Sequence, residues 1–362
     1  MLVSSPTHRL AVGLLAVVFA FVGACTPTPM APPPVPVFPQ AVKLGGEIFT
    51  SQWQVTIIAR DAATLLRART QAPAVEAALA EVERKLSLWQ PESELRRFNA
   101  AAWTKPVGVT PGLATVLTTC LDVGAKTDGA FDITIGPLLD LWGLSAVTKA
   151  LPRAVPLPAD IARERARTGL QLLHIDSGGL KKDREDVVVD ATAVGDGAAA
   201  AAVMAGLLER GFGDVLVDVA GEVVAAGRGL LGPWQVGVNL PAPDAGPDEV
   251  ERVVELVARP EGNAPEPGTG VRALSTSGTY REAHILDPRT GALAKSDLVS
   301  CTIVADDVVV ADALSTACIV LGEQGTRAIL DRFPATEALF LKTKGERTFT
   351  ASTTAGFPAS RP

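Results

Sequence analysis

Residues Ser275–Gly291 read STSGTYREAHILDPRTG, and the rest of the chain is best understood outward from them. Ser275, Thr276 and Ser277 line up three hydroxyls, and Gly278 follows, where the lack of a Cβ lets a ligand approach the backbone. His284 comes next. Asp287-Pro288-Arg289-Thr290-Gly291 has the residues of a turn, with Pro fixing φ and Gly closing it. The sequence has three histidines, at 8, 174 and 284. A side chain that moves protons near neutral pH is therefore sought first at His284, and Asp287, across the turn, is a candidate to orient its ring. The same residues also read as a plain β-hairpin with a polar turn.

The 362 residues are 47% hydrophobic and 20% charged, with a net charge of -7. That composition is globular and large enough for one big domain or two ordinary ones. An acidic chain has no field for binding phosphates along a strand, so nucleic acid is not an expected partner. The N-terminus is different. His8 and Arg9 precede an apolar run, Leu10–Val22, too short to span a bilayer, which ends in Val22-Gly23-Ala24-Cys25. Small residues directly before a cysteine resemble a bacterial lipoprotein signal, which predicts a leader over 1–24 and lipidation of Cys25. Thr26–Gln40 (TPTPMAPPPVPVFPQ) is too rich in proline for helix or ladder and reads as a semi-rigid spacer. The expected organisation is a tether over 25–41, a folded domain over 42–350 and a tail over 351–362. Cys120, Cys301 and Cys318 are far apart among apolar neighbours and read as buried thiols.

In chain order, Trp53–Ala59 reads as the first strand, and Pro73–Leu86 as a helix with proline in its first turn. Trp89, before Gln90-Pro91, would be either a core residue or an aromatic free to stack on a flat ring. Thr110-Pro111 opens another helix. Gly129–Gly143 (GAFDITIGPLLDLWG) reads as an apolar, strand-like core between turns, and its Asp132 demands a partner. His174, in LQLLHID, reads as a core histidine. Val187–Asp190 is predicted to be a buried strand ending in a carboxylate. It leads through Ala193, Gly195 and Asp196 into an alanine-rich helix reaching Arg210, and such a helix N-terminus suits a phosphate. Asp196 would repel that phosphate unless a metal intervened.

Two strands are expected at Val215–Val219 and Val223–Ala226. Gly227–Gly232 matches GxGxxG, but Pro233-Trp234-Gln235-Val236 continues as a strand rather than a helix, which excludes a dinucleotide fold. Residues 241–270 read as a surface loop and Leu298–Ala305 as a strand. Val310–Leu321 reads as a helix that sets Asp312 and Thr316 four apart on one face. Those two can offer oxygens to a hard cation, or Thr316 can bond back to the carbonyl one turn earlier.

Taken together, LSLWQPESELRRFN, GAFDITIGPLLDLWG, DATAVGDG, VDVAGEV, STSGTY, HILDPRTG and ADALSTA resemble, in order, the motifs of the ApbE-like FAD:protein FMN transferases. The resemblance spans roughly Phe49 to Leu341. It implies an α+β fold, sheets flanked by helices in a single T-fold-like catalytic domain, with FAD bound in a cleft beside Mg²⁺. Carried onto this sequence, it implies contacts to FAD from Phe49, Trp89, Ala130, Phe131, Asp132, Asp190, Asp196, Ser277 and Gly278. Ala193 through its carbonyl, Asp312 and Thr316 would hold Mg²⁺, and His284 would be the general base. The expected reaction is protein flavinylation: FMN passes from FAD to a Thr or Ser hydroxyl, and AMP is released. The expected partner is an acceptor flavoprotein subunit of a membrane redox complex, met at the periplasmic face of a bacterial membrane. FAD hydrolysis to FMN and AMP, or flavin binding without turnover, are the alternatives. The chain departs from the family pattern at Asp196, often Lys, at Ala220, usually Gly, and between Tyr280 and His284, where a hairpin is cut short.

Overall fold

The central sheet is eight antiparallel strands in the order β1-β2-β5-β6-β9-β12-β13-β14, and its two faces explain the apolar strands of the sequence. In the computed structural model the described residues are 37–48, 51–101, 104–145, 155–246, 248–257, 270–280 and 284–361. The leader, Cys25, most of the tether and Phe49 lie outside them. The chain opens with the hairpin β1 (Gln40–Ile48) and β2 (Ser51–Ala59). Next come α1 (Ala62–Ala68), α2 (Ala72–Leu86), α3 (Glu94–Ala100), α4 (Pro111–Lys126), α5 (Gly136–Trp142) and α6 (Pro158–Arg165). A small hairpin, β3 (Leu173–Asp176) and β4 (Gly179–Lys182), precedes α7 (Gly195–Glu209). Then follow β5 (Val215–Val219), β6 (Glu222–Ala226), β7 (Trp234–Asn239), β8 (Val250–Leu256) and β9 (Val271–Gly278). The two-residue strands β10 (Leu286–Asp287) and β11 (Ala292–Leu293) flank the Pro-Arg-Thr-Gly turn. The chain ends with β12 (Leu298–Ala305), α8 (Val308–Ile329), β13 (Glu337–Gly345), β14 (Thr348–Thr353) and β15 (Ser360–Arg361).

Alternation along these strands feeds two cores. Val55, Ile57, Val217, Val224, Ala273, Ile303 and Phe340 face a layer of helices in which α8 is buried along most of its length and α7 along one face. Ile58, Val223, Ala225, Leu274, Val304 and Leu339 face the other way, against the three-stranded sheet β15-β8-β7, where Trp234, Val236, Val254 and Leu256 complete a second core. All five residues of β6 are buried because both faces are covered.

Several expectations change on folding. Gly129–Gly143 is no strand: Asp132 and Thr134 close a turn, and Pro137 seeds α5 in its first turn. Val187–Asp190 is extended but joins no ladder. Asn99 replaces the neighbouring strand, donating through Nδ2 to the Val189 carbonyl at 2.8 Å and accepting the Val189 N–H through Oδ1 at 2.9 Å. The stretch 241–270 contains β8, whose apolar residues Val254 and Leu256 close the second core. Residues 351–361 are no loose tail, because β14 and β15 pair with β13 and β8. Among the described residues the first strand begins at Gln40, two residues before the expected start of the domain at Val42. His174 is on the surface of β3, its Nε2 2.8 Å from Asp183 Oδ2, so it packs no core. Cys120, Cys301 and Cys318 are buried thiols, as their neighbours suggest.

Candidate active site

A cleft of ≈ 470 Å³ lies where the turn before α5, the start of α7, the end of β9, the His284–Pro288 segment and the first turns of α8 meet. Of the expected site residues, Ala130, Phe131, Asp132, Asp190, Ala193, Asp196, Ser277, Gly278, His284, Asp312 and Thr316 all line it. Residues up to 186 apart in sequence, from Ala130 to Thr316, are thus gathered by the order of the strands. Trp89 is 53% exposed and is not among the lining residues. In the free protein it is an outward aromatic rather than a core residue or a wall of the cleft.

Two carboxylates on one side are locked by local turns. Asp132 Oδ1 accepts from the Thr134 N–H and hydroxyl, each at 2.7 Å. Asp190 Oδ1 accepts from the Thr192 N–H at 2.9 Å and its hydroxyl at 2.5 Å. A single bond, Asp190 N–H to the Ile133 carbonyl at 2.7 Å, ties the two turns together. Burial outweighs these bonds and pushes both carboxyls above their ordinary range.

The opposite wall is a hydroxyl ladder joining β9 to α8. Ser277 Oγ is 2.7 Å from Ser315 Oγ and 3.2 Å from Thr316 Oγ1, and Ser275 Oγ is 3.1 Å from Ser315 Oγ. The back-bond considered for Thr316 is made by its neighbour instead: Ser315 Oγ donates to the Asp312 carbonyl at 2.9 Å. Asp287 is held by Arg289, whose N–H and Nε each donate to Oδ1 at 2.9 Å, so the turn carboxylate braces its own loop.

Between the walls lie Asp196, Glu222 and Asp312. Burial raises all three, Asp196 to about 6; the Asp312 charge raises Glu222 further, and the Asp196 charge raises Asp312. Glu222 Oε2 is buried and has no hydrogen-bond partner among the described residues. An orphaned carboxylate oxygen facing two further carboxylates is unfavourable alone and suits a bound cation. Among the described residues no three His, Cys, Asp or Glu side chains form a metal cage. The orphaned Glu222 oxygen near Asp312 fits Mg²⁺, which takes one or two carboxylates and fills its remaining positions from phosphate and water. Glu222, inside VDVAGEV, has no role expected from the sequence. The available signal was a lone acid opening an otherwise apolar strand. Thr192, Tyr280, Ile285 and Leu286 also line the cleft although the sequence gives them no role, and Thr276 joins them from the hydroxyl run.

The ApbE family model matches residues 49–340. The FAD:protein FMN transferase of Salmonella typhimurium is 33% identical over 316 residues, 83% of this chain and 85% of that protein. The FAD:protein FMN transferase of Escherichia coli K12 is 32% identical over 335 residues, 89% of each. The crystal structure of Pseudomonas stutzeri flavinyl transferase ApbE in its apo form superposes with a TM-score of 0.71 at 28% identity, covering 89% of this chain and 98% of that one. Flavin transferase ApbE from Vibrio cholerae gives 0.73 at 27%, covering 88% and 98%. The chain is a member of the ApbE family.

Proposed function

We propose that this protein is a Mg²⁺-dependent FAD:protein FMN transferase, exported and held by a lipidated Cys25 at the periplasmic face of a bacterial membrane. It would transfer FMN to a Thr or Ser hydroxyl on a flavoprotein subunit of a membrane redox complex. The observation that carries the reading is one cleft containing both His284 and the buried set Asp196, Glu222 and Asp312. In the reaction the acceptor hydroxyl oxygen bonds to the FMN phosphorus, and the bond from that phosphorus to the bridging pyrophosphate oxygen breaks. AMP leaves with that oxygen. His284 takes the hydroxyl proton as the new bond forms, help typically worth about 10²–10⁴-fold. Asp312, Thr316 and the Ala193 carbonyl would hold Mg²⁺, with Glu222 beside them. The ion, when bound, neutralises charge on the pyrophosphate. Asp132 and Asp190, fixed by their turns, would orient the flavin side of the substrate, and Phe131 would keep water from it. The test is to mix the purified protein with FAD, Mg²⁺ and an acceptor flavoprotein domain, then weigh the acceptor. A mass gain of one FMN residue, lost when the acceptor hydroxyl is removed, supports the reading. FMN and AMP accumulating with an unmodified acceptor would make the enzyme a pyrophosphatase instead.

A further inference from the structure

The end of the central sheet away from the cleft carries a rigid loop that holds two leucines in solvent. Register places the loop. Gln40 pairs with Ala59, Ile57 with Val215, Val215 with Ala226, and Ala226 with Val271. The strand end where the chain enters from the tether is therefore the same end from which the β6–β7 loop, Gly227–Pro233, projects. The sheet residues of the cleft (Glu222, Thr276, Ser277 and Gly278) are at the other end, about 20–25 Å away at the ~3.3 Å rise of a strand.

The loop is built, not slack. Gly227 has φ +59, and a Cβ there would come within 2.2 Å of both Asp214 Oδ1 and the Gly213 carbonyl. The Arg228 N–H donates to Asp214 Oδ1 at 2.7 Å, and Trp234 Nε1 donates to the Ala226 carbonyl at 2.9 Å. On this clamped base Leu231 is fully exposed and Leu230 is 44% exposed. Val37, at the entry of the chain, is 82% exposed. Exposed Leu66 stands beside Arg67, whose guanidinium bonds the Arg210 carbonyl shortly before β5 begins. Arg69 and Arg228 are exposed as well, while Asp214 pairs with Arg60 and Asp61 caps α1. Isolated apolar tips rimmed by arginine match an interface of acyl chains under anionic headgroups.

We infer that the Gly227–Pro233 loop is a second membrane contact, its Leu230 and Leu231 seated in the lipid beside the entry of the tether. This rests on the proposed lipid anchor. By composition Thr26–Gln40 reads as a proline-rich spacer, and a spacer limits the distance of a domain from its anchor without setting which face turns to the bilayer, a rotational freedom. The loop contact removes that freedom and keeps the cleft on the side away from the bilayer, towards an acceptor that projects from it.

The test uses the full chain with its own leader. Leu231→Cys is labelled with an environment-sensitive fluorophore in isolated membranes and in vesicles containing phosphatidylglycerol, and Gln52→Cys, exposed at the cleft end, serves as the comparison. Cys120, Cys301 and Cys318 are buried and stay unlabelled. The expected result is a blue-shifted probe at 231, quenched by brominated acyl chains, and an unquenched probe at 52. Adding Leu230→Glu should return the 231 probe to water. A membrane-bound chain whose 231 probe stays aqueous, or whose two probes behave alike, would overturn the contact and leave the anchor standing. Protection of residue 231 only after an acceptor protein is added would also overturn it, in favour of a protein contact. Recovery of the chain in the soluble fraction would overturn the anchor and this orientation together.

Discussion

Gly197 and Asp312 touch across the start of α7 and the first turns of α8. The Gly197 N–H donates to Asp312 Oδ2 at 3.1 Å, and a Cβ at 197 would lie 2.7 Å from that same oxygen. Glycine inside a helix normally costs about 1 kcal/mol relative to alanine, so its presence here reflects the space that the carboxylate needs. Gly197→Ala should therefore destabilise the fold by about 1–3 kcal/mol despite its better helix propensity, because the added methyl overpacks a dry contact. It should also displace Asp312 and weaken FAD binding. A variant as stable as wild type with unchanged FAD affinity would mean that the two helices part without consequence for the site.

Asp312 itself should matter chiefly through the cation. Its buried carboxyl is raised by burial and then by the Asp196 charge, a state that a divalent ion would relieve. Asp312→Ala is expected to weaken FAD binding measured by calorimetry with Mg²⁺ present, and to change it little in EDTA. An equal loss under both conditions would assign Asp312 to the packing of α8 alone.

Asn99 is expected to position the site from a distance. It takes both backbone groups of Val189, directly before Asp190, while Lys182 Nζ donates to the Asn99 carbonyl at 3.3 Å from a buried position. Asn99→Ala leaves a buried N–H and C=O unpaired, at a cost of about 1–3 kcal/mol. The loss should appear as a lower urea midpoint and as slack in the Asp190 turn, raising the KM for FAD more than it lowers kcat. If KM is unchanged in a variant that is destabilised, the bracing does not reach the cleft.

The histories of these residues differ in the sequence. Trp53–Ala59, Leu298–Ala305 and the α8 helix were legible from periodicity because each has an apolar face that must be buried. Val187–Asp190 has the composition of a strand yet pairs with a side chain, and nothing in four residues announces that Asn99 stands in for a neighbour. β8 was hidden because Glu251, Arg252 and Glu255 interrupt its valines inside a stretch rich in proline and acids, so polarity masked the strand. His174 looked apolar from its neighbours in sequence, but alternation turns its ring out to Asp183. The cleft residues were largely legible because their motifs follow in order. Glu222 was not, since its meaning comes from Asp312 on α8 and Ser275 on β9.

Glu323 offers a pH-dependent stability test away from the cleft. It accepts from Lys342 at 2.9 Å, Ser352 at 2.7 Å and Arg327 at 2.9 Å, joining α8 to β13 and β14 where Gly322 interrupts the helix. The Lys342 bond, followed by those of Ser352 and Arg327, holds its carboxyl at about 2. A depressed carboxylate stabilises the fold above its unfolded value near 4.5, and that contribution disappears as pH falls toward about 2. With partial solvent screening it is about 1–2 kcal/mol. Glu323→Gln should therefore lower the urea midpoint at neutral pH and approach wild type only as pH falls to about 2. A constant difference between the two pH values would show that the charge contributes nothing and that only shape was lost.

His284 is the last residue whose role can be isolated. It stands on the short segment after Tyr280, exposed at the rim of the cleft, and its loop is braced independently by Asp287 and Arg289. Removing the imidazole should therefore leave the walls in place, and FAD affinity should stay near wild type for His284→Ala. A serine or threonine hydroxyl is a weak nucleophile near neutral pH, and an imidazole can take its proton as the phosphorus bond forms. Single-turnover AMP release with FAD and acceptor saturating should fall about 10²–10⁴-fold in His284→Ala. His174→Ala, which removes a surface contact to Asp183, should leave that rate unchanged. AMP release at the wild-type rate from the His284 variant would exclude the imidazole from proton transfer. Catalysis would then rest on placing the acceptor hydroxyl and on the charge set around Asp312.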